Sequence, residues 1–99
     1  MPAAVIEFDP EARAEVLAAE AWYTAKGGLR VSDQFLAELR ECLAGIVESP
    51  LAWPEYFEGT RRRLLGRFPY SVVYRLDPDR ILVVAVAHLK RRPGYWLRR

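Results

Sequence analysis

Arg67-Phe68-Pro69-Tyr70-Ser71-Val72-Val73-Tyr74-Arg75-Leu76, then Asp77-Pro78-Asp79, then Arg80-Ile81-Leu82-Val83-Val84-Ala85-Val86-Ala87-His88: this stretch decides the fold. Two runs rich in β-branched and aromatic residues flank three residues that favour a compact turn, where proline presets φ and aspartate bonds to nearby backbone. The reading is an antiparallel hairpin, Tyr70 to Leu76 against Arg80 to His88. Ile81 to Ala87 is apolar at every position, so this strand has both faces covered and lies centrally in its sheet. It is also the longest apolar run, far short of the ~20 residues that a membrane helix needs.

Working outward, Arg61 to Gly66 supplies a further strand, preceded by an irregular loop over residues 50–60 that contains Pro50, Trp53, Pro54 and Gly59. Upstream of the loop the apolar period becomes helical. Phe35, Leu39, Leu43, Ile46 and Val47 form one face of a helix from about Leu29 to Glu48, flanked by Leu36 and Cys42 and stopped by Pro50. Ala12, Val16, Ala19 and Tyr23 form the stripe of an earlier helix, from Pro10 to about Ala25, with Leu17 and Trp22 widening it. Asp9 caps that helix, Pro10 suits its first position and Glu11 faces its positive end. Gly27-Gly28 is too short a break to let the helices separate, which makes them an antiparallel αα-hairpin. Val5 to Phe8 is a short strand. The expected architecture is α+β in the order β-αα-βββ: an N-terminal strand and a helical hairpin packed on one face of a small antiparallel sheet, the other face partly open.

The chain has 99 residues, 52% hydrophobic and 28% charged, which fits one globular domain spanning 1–99. Cys42 is the only cysteine and His88 the only histidine. Neither an internal disulfide nor a zinc site made of protein ligands alone can form, and a reducing cytoplasm is the natural setting. Met1 to Phe8 lacks the basic and apolar regions of a signal peptide. No glycine-rich phosphate loop, serine-histidine-carboxylate order or nucleotide fingerprint is visible, so no cofactor is expected.

Charge is unevenly spread. Residues 1–50 carry nine acids and four bases, a net of −5; residues 51–99 carry four acids and eleven bases, a net of +7. The bases cluster as Arg61-Arg62-Arg63, Arg67, Lys90-Arg91-Arg92 and Arg98-Arg99. Strand alternation sends Arg61 and Arg63 to one face and Arg62 to the other. Arginine suits an oxyanion because its planar fork donates two parallel hydrogen bonds and keeps its charge. Arg61, Arg63, Arg67, Lys90 and Arg91 are candidates for one basic surface, with nucleic acid or an acidic protein as partner. Each arginine alone reads as solvent-facing. His88 is placed to exchange a proton or simply to close its strand. Tyr95 is placed to stack on a base, to position a proton, or, with Trp96, to anchor the tail on the core. Cys42 reads as buried and inert.

The segment Arg67 to Arg75 resembles the "RFPY.i.Y" signature of the RelE/ParE superfamily of bacterial toxins. Ile81 to Ala87, followed by His88-Leu89-Lys90-Arg91-Arg92-Pro93-Gly94-Tyr95-Trp96, is similar to that superfamily's ending. Ala21-Trp22-Tyr23, Gly28-Leu29, Phe35-Leu36 and Ile46-Val47-Glu48-Ser49-Pro50 match its first half. The resemblance implies the toxin of a type II toxin–antitoxin module, neutralised by an acidic antitoxin, in a homodimer or a toxin–antitoxin hetero-oligomer. Two activities occur in the superfamily: cleavage of messenger RNA on the ribosome, and inhibition of DNA gyrase. For cleavage the resemblance implies His88 or Tyr95 handling protons, with Arg61, Arg63 and Arg67 stabilising charge. The lysine pair of the RelE side is absent, since Lys26 and Lys90 are the only lysines, and the His-x-x-Arg-Arg-Pro ending is more similar to the ParE side. The expectation is gyrase inhibition, with a ribosome-dependent nuclease as the alternative and a non-toxic basic scaffold as a third reading. Arg61, Arg62, Arg63, Lys90, Arg91 and Arg92 are the expected partner-binding residues; His88, Arg67 and Tyr95 are catalytic candidates only for the nuclease.

Overall fold

Asp9 both ends the first strand and starts the first helix. Its carboxylate accepts from the Glu11 amide at 3.1 Å while its own amide donates to Val83 O at 2.9 Å. The computed structural model describes residues 5–99. Strand β1 is Ile6–Phe8 and helix α1 is Pro10–Gly27; helix α2 is Leu29–Glu48. Strands β2 (Thr60–Leu64), β3 (Tyr70–Leu76) and β4 (Ile81–His88) follow, then a 3-10 turn, Tyr95–Arg98. Gly28 separates the helices at φ +83°, a left-handed conformation that glycine adopts without a Cβ penalty.

The sheet order is β1-β4-β3-β2. β2, β3 and β4 pair antiparallel as expected, with β4 in the interior. The sheet is nevertheless mixed, because β1 runs parallel to β4 (Ile6 opposite Ile81, Phe8 opposite Val83). The helical hairpin between them carries the chain back so that β1 enters beside β4 in the same direction, the connection that parallel neighbours require.

The register shifts between Val73 and Tyr74: Val73 faces Ala85 and Tyr74 faces Val83, leaving Val84 unmatched. This bulge reverses the alternation of β4. Ile81, Val83 and Val86 thus join the core under the helices, with Phe35, Leu39, Cys42, Ile46, Val72 and Tyr74. Leu82, Val84, Ala85 and Ala87 face the other side, where Val73, Trp96 and Tyr56 meet them. Buried positions on α2 fall at 32, 35, 39, 42 and 46, so Cys42 belongs to the core stripe itself. On α1 only Ala12 and Ala19 are fully buried. Leu17 and Trp22, expected to widen the stripe, are 59% and 56% exposed, because α1 lies along the β1–β4 margin and offers the sheet only a narrow face.

Phe68 and Tyr70, which flank Pro69, pack into an aromatic cluster with Tyr23 and Phe35 at centroid distances of 4.9–5.5 Å across the Tyr23–Phe68, Phe35–Phe68 and Phe35–Tyr70 pairs. Fully buried Tyr74 donates its hydroxyl to Pro50 O at 2.7 Å and so ties β3 to the end of α2.

Candidate partner-binding site

Because β1 stops at Phe8, β4 beyond Val83 has an edge with no strand beside it. Side chains close that edge. Arg99 Nη2 donates to Val84 O at 2.7 Å, and the Val86 amide donates to Glu15 Oε1 at 3.0 Å. Glu15, whose side chain is 14% exposed, also accepts the Tyr95 hydroxyl, Arg99 at 3.2 Å and Arg91 at 3.5 Å. Arg91 lies 3.6 Å from the Tyr95 ring centroid, a cation–π contact, and Arg99 pairs with Glu11 at 3.5 Å. Burial and then the hydrogen bond to Glu15 hold the Tyr95 phenol well above the usual tyrosine range. One helix carboxylate therefore latches the tail onto the sheet.

The three arginines of β2 divide between the faces as alternation requires. Arg63 lies 4.3 Å from the Trp53 ring centroid and donates to Cys42 O at 3.1 Å, on the helix side. It rests on Gly45, where an added Cβ would stand 1.7 Å from Nη1. Arg61 donates to Trp53 O at 2.7 Å and pairs with Glu55 at 3.5 Å, pinning the loop before β2. Arg62 points the other way, 4.3 Å from the Tyr56 ring centroid, with Nη1 3.3 Å from the Tyr56 hydroxyl. Cys42, beneath Arg63, has its thiol pushed up to about 11 by burial, with Arg63 pulling in the opposite direction.

Arg67, Lys90, Arg92 and Arg98 are exposed, and among the described residues their side chains form no ion pair. The turns that carry Arg67 and Lys90 are joined by Leu89 N donating to Pro69 O at 2.8 Å. Glu38 fixes the first turn by accepting the Arg67 and Phe68 amides at 2.7 and 3.3 Å. His88 closes β4, edge-on to Tyr70 at 5.1 Å, and its Nδ1 accepts the Lys90 amide at 3.0 Å, which leaves Nε2 as the open nitrogen.

Two hollows meet at His88. A groove of about 610 Å³ runs between α1 and the start of β3, floored by Ala18, Ala19, Tyr23 and Tyr70 and bordered by Trp22 and Arg91. On the opposite face of the sheet a cavity of about 30 Å³ lies beneath the tail, bordered by Arg62, Ser71, Arg91, Arg92 and Trp96. The structure thus gathers Arg62, His88, Arg91, Arg92 and Tyr95 around one place, while Arg61 and Arg63 spend their donors inside the fold.

Residues 6–93 match the family model described as ParE toxin of type II toxin-antitoxin system, parDE. The chain belongs to the ParE toxin family. A chain of the chromosomal ParDE TA system from P. aeruginosa shares the fold: 17% identical, TM-score 0.77, covering 87% of this chain and 96% of that one. No curated protein sequence matches this chain.

Sequence reasoning passed over several residues of this ParE-family site: Glu15, Glu38, Tyr56, Ser71 and the role of Arg99. Glu15 did leave a signal. It lies three residues after Ala12 and four before Ala19, so a carboxylate interrupts the buried stripe of α1. Ser71 is likewise a lone hydroxyl in a buried strand. Glu38 and Tyr56 left none, since their partners lie across the fold. Among the described residues no helix is long and apolar enough to cross a membrane, and no cluster of potential metal ligands occurs.

Proposed function

We propose that this ParE-family chain arrests growth by inhibiting DNA gyrase without cutting nucleic acid, and that an acidic antitoxin neutralises it. The observation that carries the first half is the bonding of Tyr95. A catalytic tyrosine needs a hydroxyl free to give or take a proton at the reacting phosphate. Here the hydroxyl is committed to Glu15, its ring is covered by Arg91, and its phenol is held above the usual range. His88 Nδ1 accepts the Lys90 amide, which leaves Nε2 as its one open nitrogen. Tyr95 is a tail anchor in this reading, and the arginines serve recognition.

For the antitoxin, the groove between α1 and β3 offers an apolar floor beside Arg91, with Arg67 and Lys90 on the adjoining turns, a match for an acidic amphipathic segment. A cytoplasmic setting follows from both partners.

Purified protein added to gyrase and relaxed plasmid should block supercoiling, and addition of the neighbouring acidic gene product should restore it. Codon-positioned cuts in ribosome-bound RNA, lost in His88→Ala, would instead establish the nuclease.

A further inference from the structure

We infer that the small cavity under the C-terminal turn is a single-oxyanion site, which receives the carboxylate of an aspartate or glutamate side chain from a protein partner. It rests on the reading that a protein rather than RNA covers this face.

Three guanidinium groups, from Arg62, Arg91 and Arg92, border the cavity, and no aspartate or glutamate is among its lining residues. Arg62 has one Nη1 contact to Tyr56, leaving most of its five N–H donors unspent. Arg91 reaches Glu15 only at 3.5 Å with half its side chain in solvent, and Arg92 has no ion pair among the described residues. Ser71 and Trp96 also line the cavity. Ser71 is 2% exposed; Trp96 is 7% exposed and its buried Nε1–H has no acceptor among the described residues. A buried N–H without a partner is uncommon in folded proteins and costs roughly 1–3 kcal/mol. Charge, unspent donors and an orphaned indole N–H therefore agree on a missing acceptor that carries negative charge.

Size narrows the class. A volume of about 30 Å³ admits a group of a few atoms. Nucleic-acid strands bind along open basic grooves that track successive phosphates. A small, partly open cavity suits instead one carboxylate inserted on a short side-chain stem, held bidentately by a guanidinium.

The test follows the Trp96 indole N–H and the Arg62 Nε–H by NMR while a blocked glutamate peptide is added, with chloride at matched ionic strength as the reference. A saturable shift of the Trp96 resonance is expected. Arg62→Gln should weaken it by roughly tenfold or more, the loss of a charge-assisted fork. Arg92→Gln, at an exposed position that the fold does not need, should weaken it roughly threefold. Arg40→Gln, on the exposed side of α2, should titrate like the wild type. A Trp96 resonance that does not move, or equal titrations in Arg62→Gln and Arg92→Gln and wild type, overturns the site. A single-stranded oligonucleotide that saturates the same resonance where the peptide does not overturns the choice of carboxylate. Because the probe is a small peptide, these outcomes are independent of the gyrase assay.

Discussion

Replacing Glu15 with alanine removes one carboxylate and four partners lose an acceptor. The Val86 amide is the costly one. Val86 is 1% exposed and β1 does not reach that far, so no neighbouring strand supplies a replacement acceptor. A buried N–H stranded in this way costs about 1–3 kcal/mol. The Tyr95 hydroxyl is half-buried and can turn to water, and Arg99 keeps Glu11 and Val84 O. The partly exposed ion pairs add roughly 0.2–1 kcal/mol each. The total is about 2–4 kcal/mol. For a domain near this size each kcal/mol moves Tm by roughly 4–8 °C, so a fall of about 10–25 °C is expected. Glu15→Gln keeps an oxygen for Val86 and loses only the charge, for about 1 kcal/mol. Urea unfolding followed by tryptophan fluorescence reads both variants, and amide exchange at Val86 reports the edge directly. The reasoning fails if alanine costs less than about 1 kcal/mol, or if glutamine is as damaging as alanine.

Gly45→Ala should destabilise by about 1–3 kcal/mol, since its Cβ displaces Arg63 from the α2 carbonyls. In an Arg63→Ala background the same change should stabilise by about 0.5–1 kcal/mol, the usual gain of alanine over glycine in a helix; a double-mutant cycle with no coupling would refute the contact. Hydrogen bonds from Arg75 first, and from Arg80, hold the Asp77 carboxyl below its ordinary value of 3.8. A lowered folded-state pKa stabilises above the unfolded value and is lost as pH falls through the folded one, so acid unfolding should steepen below about pH 4 and flatten in Asp77→Asn. Matching acid limbs in the two proteins would count against it.

The helical hairpin, the β3–β4 hairpin and the opposite facing of Arg62 against its neighbours were legible in the chain, because each follows from rules that act within one element. Asp9-Pro10 and Gly28 mark helix ends through their own backbone chemistry. Apolar spacing at 35, 39, 43, 46 and 47 marks a face without knowledge of what covers it; packing against the sheet then buries Cys42 fully and leaves Leu43 and Val47 part-buried. The family resemblance came from order and spacing along the chain, and the match over residues 6–93 stands on the same signal.

Tertiary structure decided what spacing could not. β1 lies parallel to β4 because the hairpin returns the chain beside it, and its three residues leave the rest of that edge to side chains. The bulge at Val84 turns Val86 toward the helices, a reversal that no alternating pattern in an all-apolar strand can announce. Glu15 finds Val86, Tyr95 and Arg99 across 71 to 84 residues of sequence, and those meetings determine which arginines are consumed and which remain free. The physical reason is the same throughout: local conformational preference is carried by each residue and its neighbours, whereas the partner of a charge or an amide is set only when distant segments share one volume.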